Sequence, residues 1–435
     1  MTIRGLVNAL FAALAFSSVP FPAAAQERNP ERVARLIRDL GAPSYSDRQR
    51  ASVELARLGT ATREQLAAAA GAADPEVRAR ARHLLRLLQV DDLWQPRLVT
   101  LHVDEQPLES VLRQVAAQTS NHLATGSRYE PFHERAVKLD LEQRSYWQVL
   151  DELCRQTGNH FRPHYDVREA GVVLTAGSPG QNPVAYSGPF RVELASCRRV
   201  YDDELNYKNM ESKRLHSFKL VFNVLWEDRL QLTAYRATPR VTVALTDGRQ
   251  PLLPVEVVDT WNVVGGNTRQ LSLEVKLQPP GLRSERLENL LMEWSLLAVG
   301  DYAELVVDDL ANPAAVRQDA LEVVVESCSA KSESLHEVVL ATTYDELLPD
   351  PPESVFHENS YELRDEQGSR FTLVDQAHDL RGDLVRSKLT FRRESNAENS
   401  PPHSLKVRYP RIRSQRDMHI MFRDIPLPQP IEAAH

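Results

Sequence analysis

The sequence predicts an α+β multidomain chain: N-terminal α-helical repeats, a small duplicated βαβ domain, then two antiparallel β-sandwich-like domains. Three observations carry that expectation. Residues 30–90 hold apolar side chains at helical spacing. The stretch Val99–Leu123 is written again as Val137–Phe161, 38 positions later and without a gap. From residue 190 to the end, short runs alternate apolar and polar residues between turn signals. A chain of 435 residues also exceeds what one core serves, since domains run to ~100–150 residues. Its formal charge of −8 gives no overall cationic field for nucleic acid or anionic lipid.

The first segment, 1–25, has the layout of a secretory signal peptide. Arg4 supplies the positive start, Leu6–Phe16 the apolar stretch, Pro20 and Pro22 the helix break, and Ala23–Ala25 the small residues before a cut between Ala25 and Gln26. The apolar stretch is shorter than the ~20 residues a membrane span needs, and no later segment of the sequence is long and apolar enough to span a bilayer as a helix. The mature chain is therefore expected to be exported and soluble, in the periplasm or outside the cell. Three cysteines make no disulfide framework. Cys154 aligns through the repeat with Ala116 and is expected in a core; Cys197 and Cys328 end strand-like runs, and the sequence leaves open whether they pair.

Residues 26–92 are expected to be helical. Val33, Leu36, Ile37 and Leu40 form one apolar stripe, ended by Gly41 and Pro43. Ala51, Leu55 and Leu58 form the next, and Asp74-Pro75-Glu76 starts a last helix with Asp as N-cap and Pro in the first turn. Arg48-Gln49-Arg50-Ala51 is echoed by Arg78-Ala79-Arg80-Ala81, 30 positions on. This pattern, with DPEVRARARHLLRLL at Asp74–Leu88, resembles HEAT-type repeats. Arg78, Arg82 and Arg86 recur one turn apart as a basic stripe, either a solvated face or a partner-binding surface.

The domain expected at 98–176 contains the duplication. Val99, Leu101 and Val103 alternate as in a strand, as do Val137, Leu139 and Leu141. Each copy then switches to helical spacing, at Leu108, Val111, Leu112 and Val115 and at Tyr146, Val149, Leu150 and Leu153. A small sheet with both helices on one face would hide these stripes together. The paired patterns at Leu101–Leu112 and Leu139–Leu150 resemble the secretin and TonB short N-terminal (STN) domain. That resemblance implies a small periplasmic docking module without catalytic residues. No plug or barrel pattern follows, so it brings no transport role. Trp147 stands where the first copy has Glu109, flanking the apolar stripe: either a residue covered by the neighbouring helical segment, the reading the position favours, or an exposed partner anchor.

Residues 177–189 are rich in Pro, Gly and Ser and form a linker. The β-sandwich-like domains are expected at 190–311 and 312–430, divided at Asn312-Pro313. Reactive constellations are sparse. His160 and His164 flank Pro163 in a strand-like setting and lack metal-site spacing. His133-Glu134 lacks a second histidine. Asp202-Asp203-Glu204 and Asp308-Asp309 are acidic turns without calcium-loop spacing. No catalytic residues, metal or cofactor are assigned. The expected role is a non-catalytic binding or scaffolding protein of the cell envelope that meets a protein partner. Two rivals stay open: an envelope or polysaccharide hydrolase with its site on the β-domain loops, and an accessory subunit of a secretin or TonB-type system.

Overall fold

The structure, a computed structural model, describes residues 30–125, 135–165, 170–178, 180–206, 208, 210–264, 268–311, 315–318, 321–344, 360–381, 384–393 and 400–429. The signal-peptide assignment, with Ala25 and Gln26, and His133-Glu134 lie outside the described residues. The chain divides into two compact units, Met1–Gln89 and Val90–His435.

The smaller unit contains helices α1 (Pro30–Asp39), α2 (Tyr45–Leu58), α3 (Arg63–Ala69) and most of α4 (Pro75–Trp94). Leu40, Leu55, Leu66 and Ala81 are fully buried at its centre. Asp74 caps α4 by accepting the Glu76 and Val77 N–H groups at 2.8 and 3.2 Å, which satisfies donors a helix start leaves free. Nothing in the structure identifies these helices as HEAT-type repeats, although the two arginines of the 30-residue echo bond alike. Arg48 Nη1 donates to the carbonyls of Ala42 and Pro43 at 2.8 and 2.9 Å. Arg78 Nη1 does the same to Ala72 and Ala73 at 2.8 and 3.4 Å.

The larger unit corrects the α+β expectation. The described chain is mostly β, 55% strand against 23% helix, with large antiparallel sheets. Its first part contains β1 (Leu98–Pro107), α5 (Leu108–Thr119), β2 (Leu123–Thr125), β3 (Ala136–Ser145), α6 (Tyr146–Thr157), β4 (Asn159–Tyr165) and β5 (Ala170–Ala176). The expected single small sheet is not formed. β1 pairs with β3 alone, while β2, β5 and β4 make a separate three-stranded sheet. Both helices still share one core with β1 and β3, including Leu101, Val111, Leu139 and Leu150.

The β1–β3 register carries a local two-fold relation between the copies. Leu101 pairs with Leu141 and Val103 with Leu139, so exchanging the copies maps the ladder onto itself. His102 faces its own repeat twin, Asp140, 38 positions away, and their side chains meet at 2.6 Å. Other twins obey the same local rules. Thr119 and Thr157 hydroxyls donate to the carbonyls four residues back, and Gln118 and Gln156 amides donate to Thr100 and Lys138 carbonyls.

The remaining strands are β6 (Val184–Ser187), β7 (Phe190–Asn206), β8 (Glu211–Trp226), β9 (Gln231–Arg236), β10 (Arg240–Thr246), β11 (Trp261–Val263), β12 (Gln270–Leu277), β13 (Arg286–Val307), β14 (Val316–Gln318), β15 (Leu321–Ala330), β16 (Leu335–Tyr344), β17 (Ser360–Asp365), β18 (Arg370–Arg381), β19 (Leu384–Arg393) and β20 (Pro402–Pro426). β6, β7, β8 and β12 form a four-stranded sheet, and all the others join one eleven-stranded sheet.

That large sheet corrects the expectation of two successive β-sandwich-like domains. β13 and β20 pair without a bulge from Arg286↔Pro426 to Val307↔Leu405. At one end of this ladder Leu290, Met292, Trp294, Ile420 and Phe422 enter a first β core with the four-stranded sheet. At the other end Ala303, Leu305, Val307, Leu405 and Val407 enter a second core with β15 to β19. From Leu290 to Ala298 the β13 residues of the first core are even-numbered, and from Ala303 to Val307 those of the second core are odd-numbered. Strand side chains alternate faces, so the cores lie on opposite faces of one shared ladder. The run DMHIMFRDIPL, expected in the second sandwich, therefore lies in the first. Gly300 sits near the changeover, where an added Cβ would stand 3.1 Å from Leu93 Cδ1.

Candidate functional site

One exposed feature is a ribbon built by β7 and β8. These strands pair from Phe190↔Trp226 to Asn206↔Glu211. β6 covers the outer edge of β7 only at residues 190–193, and β12 covers β8 only at residues 218–225. Among the described residues, 200–206 and 211–217 thus pair only with each other. An isolated two-stranded hairpin is marginal in water, so this ribbon needs an anchor, and it has one at its base. Arg199 donates to the carbonyls of Gly281 at 2.6 Å and Ser284 at 3.1 Å. It also lies 5.0 Å over the Tyr201 ring. The Tyr201 hydroxyl donates to Pro280 O, and its ring meets His216 edge-on at 5.1 Å.

Beyond that anchor the ribbon stands in solvent. Leu205, Leu215 and Met210 are 43, 55 and 68% exposed. Asp202-Asp203-Glu204 belongs to this strand and not to a turn, and the register sets Asp203 opposite Arg214 and Glu204 opposite Lys213. Charged strands blunt edge-to-edge self-association. In the sequence Cys197 ends a strand-like run and Asp202-Asp203-Glu204 reads as an acidic turn, whereas β7 runs on to Asn206.

Trp147 is placed otherwise than a partner anchor needs. It is 1% exposed, and its Nε1 donates to Pro189 O at 2.9 Å. The Glu227 N–H donates to the same carbonyl at 3.1 Å, so the β6–β7 turn receives two donors. Gly188 in this turn has φ +54°, and a Cβ there would fall 2.6 Å from Trp94 O; glycine alone tolerates both.

Two charged clusters fasten the duplicated part to the β sheets. In the first, Arg191 Nε donates to Asp151 at 2.9 Å and Nη1 to Glu193 at 2.6 Å. Its guanidinium lies 4.9 Å over Phe161, and Tyr186 donates to Asp151 at 2.5 Å. Burial opposes the Arg191 charge, but the bonds and charges of Asp151 and Glu193 outweigh it and hold the guanidinium above its usual range. In the second cluster, the fully buried Glu227 accepts the Arg97 N–H at 2.9 Å and Arg229 Nε at 3.1 Å. Asp228 and the end of the first copy bond reciprocally. Asp228 Oδ2 accepts the His122 N–H at 2.6 Å, and the Asp228 N–H donates to Asn121 Oδ1 at 3.0 Å. Burial pushes the Asp228 carboxyl up to about 6, against the pull of the His122 N–H and the charge of Arg269.

Of the arginine stripe, Arg78 is engaged with backbone carbonyls, Arg86 is half-buried and Arg82 is exposed. Cys154 is buried, and its thiol is pushed up to about 12 by burial and then by the Asp151 charge. Cys197 and Cys328 are free thiols packed against the first and second β cores respectively. His160 bonds Thr175 Oγ1 through Nε2 at 2.9 Å. Asp308 and Asp309 follow β13 in an exposed connection. Among the described residues no group of three His, Cys, Asp or Glu is placed to hold a metal ion, and no helix is long and apolar enough to cross a membrane. No protein-family model matches the chain, and no curated protein matches it.

Proposed function

We propose that this chain is an exported binding or scaffolding protein that captures a protein partner of the cell envelope on the β7–β8 ribbon. The observation behind this reading is the ribbon itself: 200–206 and 211–217, held at the base by Arg199 and Tyr201, pair among the described strands only with each other. An unpaired edge offers alternating N–H and C=O groups, and an extended segment of another protein satisfies them by adding a strand. Exposed Leu205, Met210 and Leu215 supply apolar contacts beside that backbone pairing. The resemblance of 98–176 to periplasmic docking modules and the signal-like residues 1–25 support an envelope setting.

The test shortens the ribbon. Asp202 and Leu215 are register partners, so replacing residues 203–214 by Asn-Gly closes the hairpin with a two-residue turn that suits the strand twist. The shortened chain should keep its melting temperature and lose the partner isolated from the envelope with the full chain. The Arg78→Ala, Arg82→Ala, Arg86→Ala triple variant should keep that partner. Retention by the shortened chain overturns the reading.

A further inference from the structure

We propose a second, separate site: the cleft between α6, β4 and the outer face of the four-stranded sheet binds a neutral sugar ring. The cleft has a volume of about 420 Å³, within the ~300–1,000 Å³ of small-molecule sites. Register builds its wall. Arg191, Leu225 and Gln270 are cross-strand neighbours in one row, and Glu193 and Asn223 are neighbours in the next. Side chains opposite each other across a ladder share a face, so all five face the same side of the sheet, and all five line the cleft.

The chemistry of that wall selects the ligand. Arg191 already holds Asp151 and Glu193, so its charge is spent within the wall and does not attract a phosphate or carboxylate. The carboxamides of Asn223 and Gln270 line the cleft, and neither side chain makes a hydrogen bond among the described residues. Each offers a donor and an acceptor side by side, the complement of a hydroxyl, which is both. Glu193 retains acceptor capacity beyond its bonds to Arg191 and Asn182. Phe161, Leu225 and Pro163 give the same cleft an apolar floor. Paired hydroxyl-sized polar groups over an apolar surface fit a saccharide ring, which has hydroxyl edges and C–H faces. A peptide is disfavoured because the cleft presents a sheet face, whereas extended peptides are recognised along a sheet edge.

Calorimetric titration of the full chain with glucose, N-acetylglucosamine, glucose 6-phosphate and a blocked trialanine peptide tests this. A neutral sugar should bind with a dissociation constant on the order of 1 mM. Asn223→Leu and Gln270→Leu should each weaken it roughly five- to tenfold with unchanged thermal melting. If Asn223→Leu fails to fold, Gln270→Leu, at the first residue of β12, decides alone. The shortened-ribbon chain should bind sugar as the full chain does, which separates this site from the partner site. Absence of binding by both sugars at tens of millimolar, equal binding by the folded variants, or preference for the phosphate or the peptide overturns the proposal.

Discussion

Val99–Leu123 and Val137–Phe161 follow one local design and differ in what lies against them. Both helices end on a left-handed residue, Ser120 at φ 58° and Gly158 at φ 64°. Both strands carry the same positive-φ break, at Glu105 and Gln143. The outward helix positions diverge. Glu109 and Arg113 of the first copy sit in solvent, their side chains 57 and 76% exposed and 3.9 Å apart. Their twins, Trp147 and Asp151, are a buried indole bonded to Pro189 O and the carboxylate that holds Arg191. The first copy is tied instead through its end, Asn121 and His122, to Asp228. Repetition thus preserves backbone rules, while a few substitutions on the outer face decide which copy docks and how.

The sharpest way to break the comparison is to truncate the twins. Trp147→Ala removes a buried indole and leaves Pro189 O without one of its two donors, so unfolding stability should fall by roughly 3–5 kcal/mol. Glu109→Ala at the matching exposed position should stay within about 0.5 kcal/mol. Denaturant unfolding of both variants measures the contrast; equal losses would mean that the copies do not differ in docking.

The next effect concerns the first copy's tie. Burial raises the Asp228 carboxyl to about 6 from 3.8, so the folded state keeps its proton to higher pH than the unfolded chain does. Its contribution is fully present below the unfolded value and is lost as pH rises through about 6, a change of order 3 kcal/mol. Asp228→Asn should flatten this part of the stability profile between pH 4 and 7. An unchanged slope in the variant would assign the pH dependence elsewhere.

The smallest contrast is at the caps. Gly158→Ala places a Cβ on a left-handed residue and should cost about 1 kcal/mol, whereas Ser120→Gly should gain a few tenths. Thermal melts of the two variants read opposite signs if the caps are equivalent in backbone and different only in residue.

Legibility followed the range of the forces involved. The duplication, the helix start at Asp74, and the alternating strands could all be read, because each rests on neighbours within a few residues. What covers Trp147 could not: its flanking position on α6 favours a cover from the neighbouring helical segment, and its indole instead bonds the β6–β7 turn at Pro189 O. The ribbon was missed for a related reason: 200–206 and 211–217 show no continuous apolar face, and only cross-strand pairing makes them strands. Likewise, the cleft joins Arg191, Asn223 and Gln270, which share no motif and meet through the registers of β7, β8 and β12.

The same division appears in the long ladder. By itself the sequence determined that the short runs 293–299, 302–307, 404–410 and 417–427 are strand-like, through side-chain periodicity that needs no partner; that they join into the long strands β13 and β20 came from the structure. That they pair end to end, and that their inward face passes from even to odd residues between two cores, was decided only in the tertiary structure. A strand's alternation specifies two faces and leaves open which core covers each one along its length. That choice belongs to the apolar surface of residues far away in the chain, and it sets the architecture as one continuous sheet instead of two successive domains.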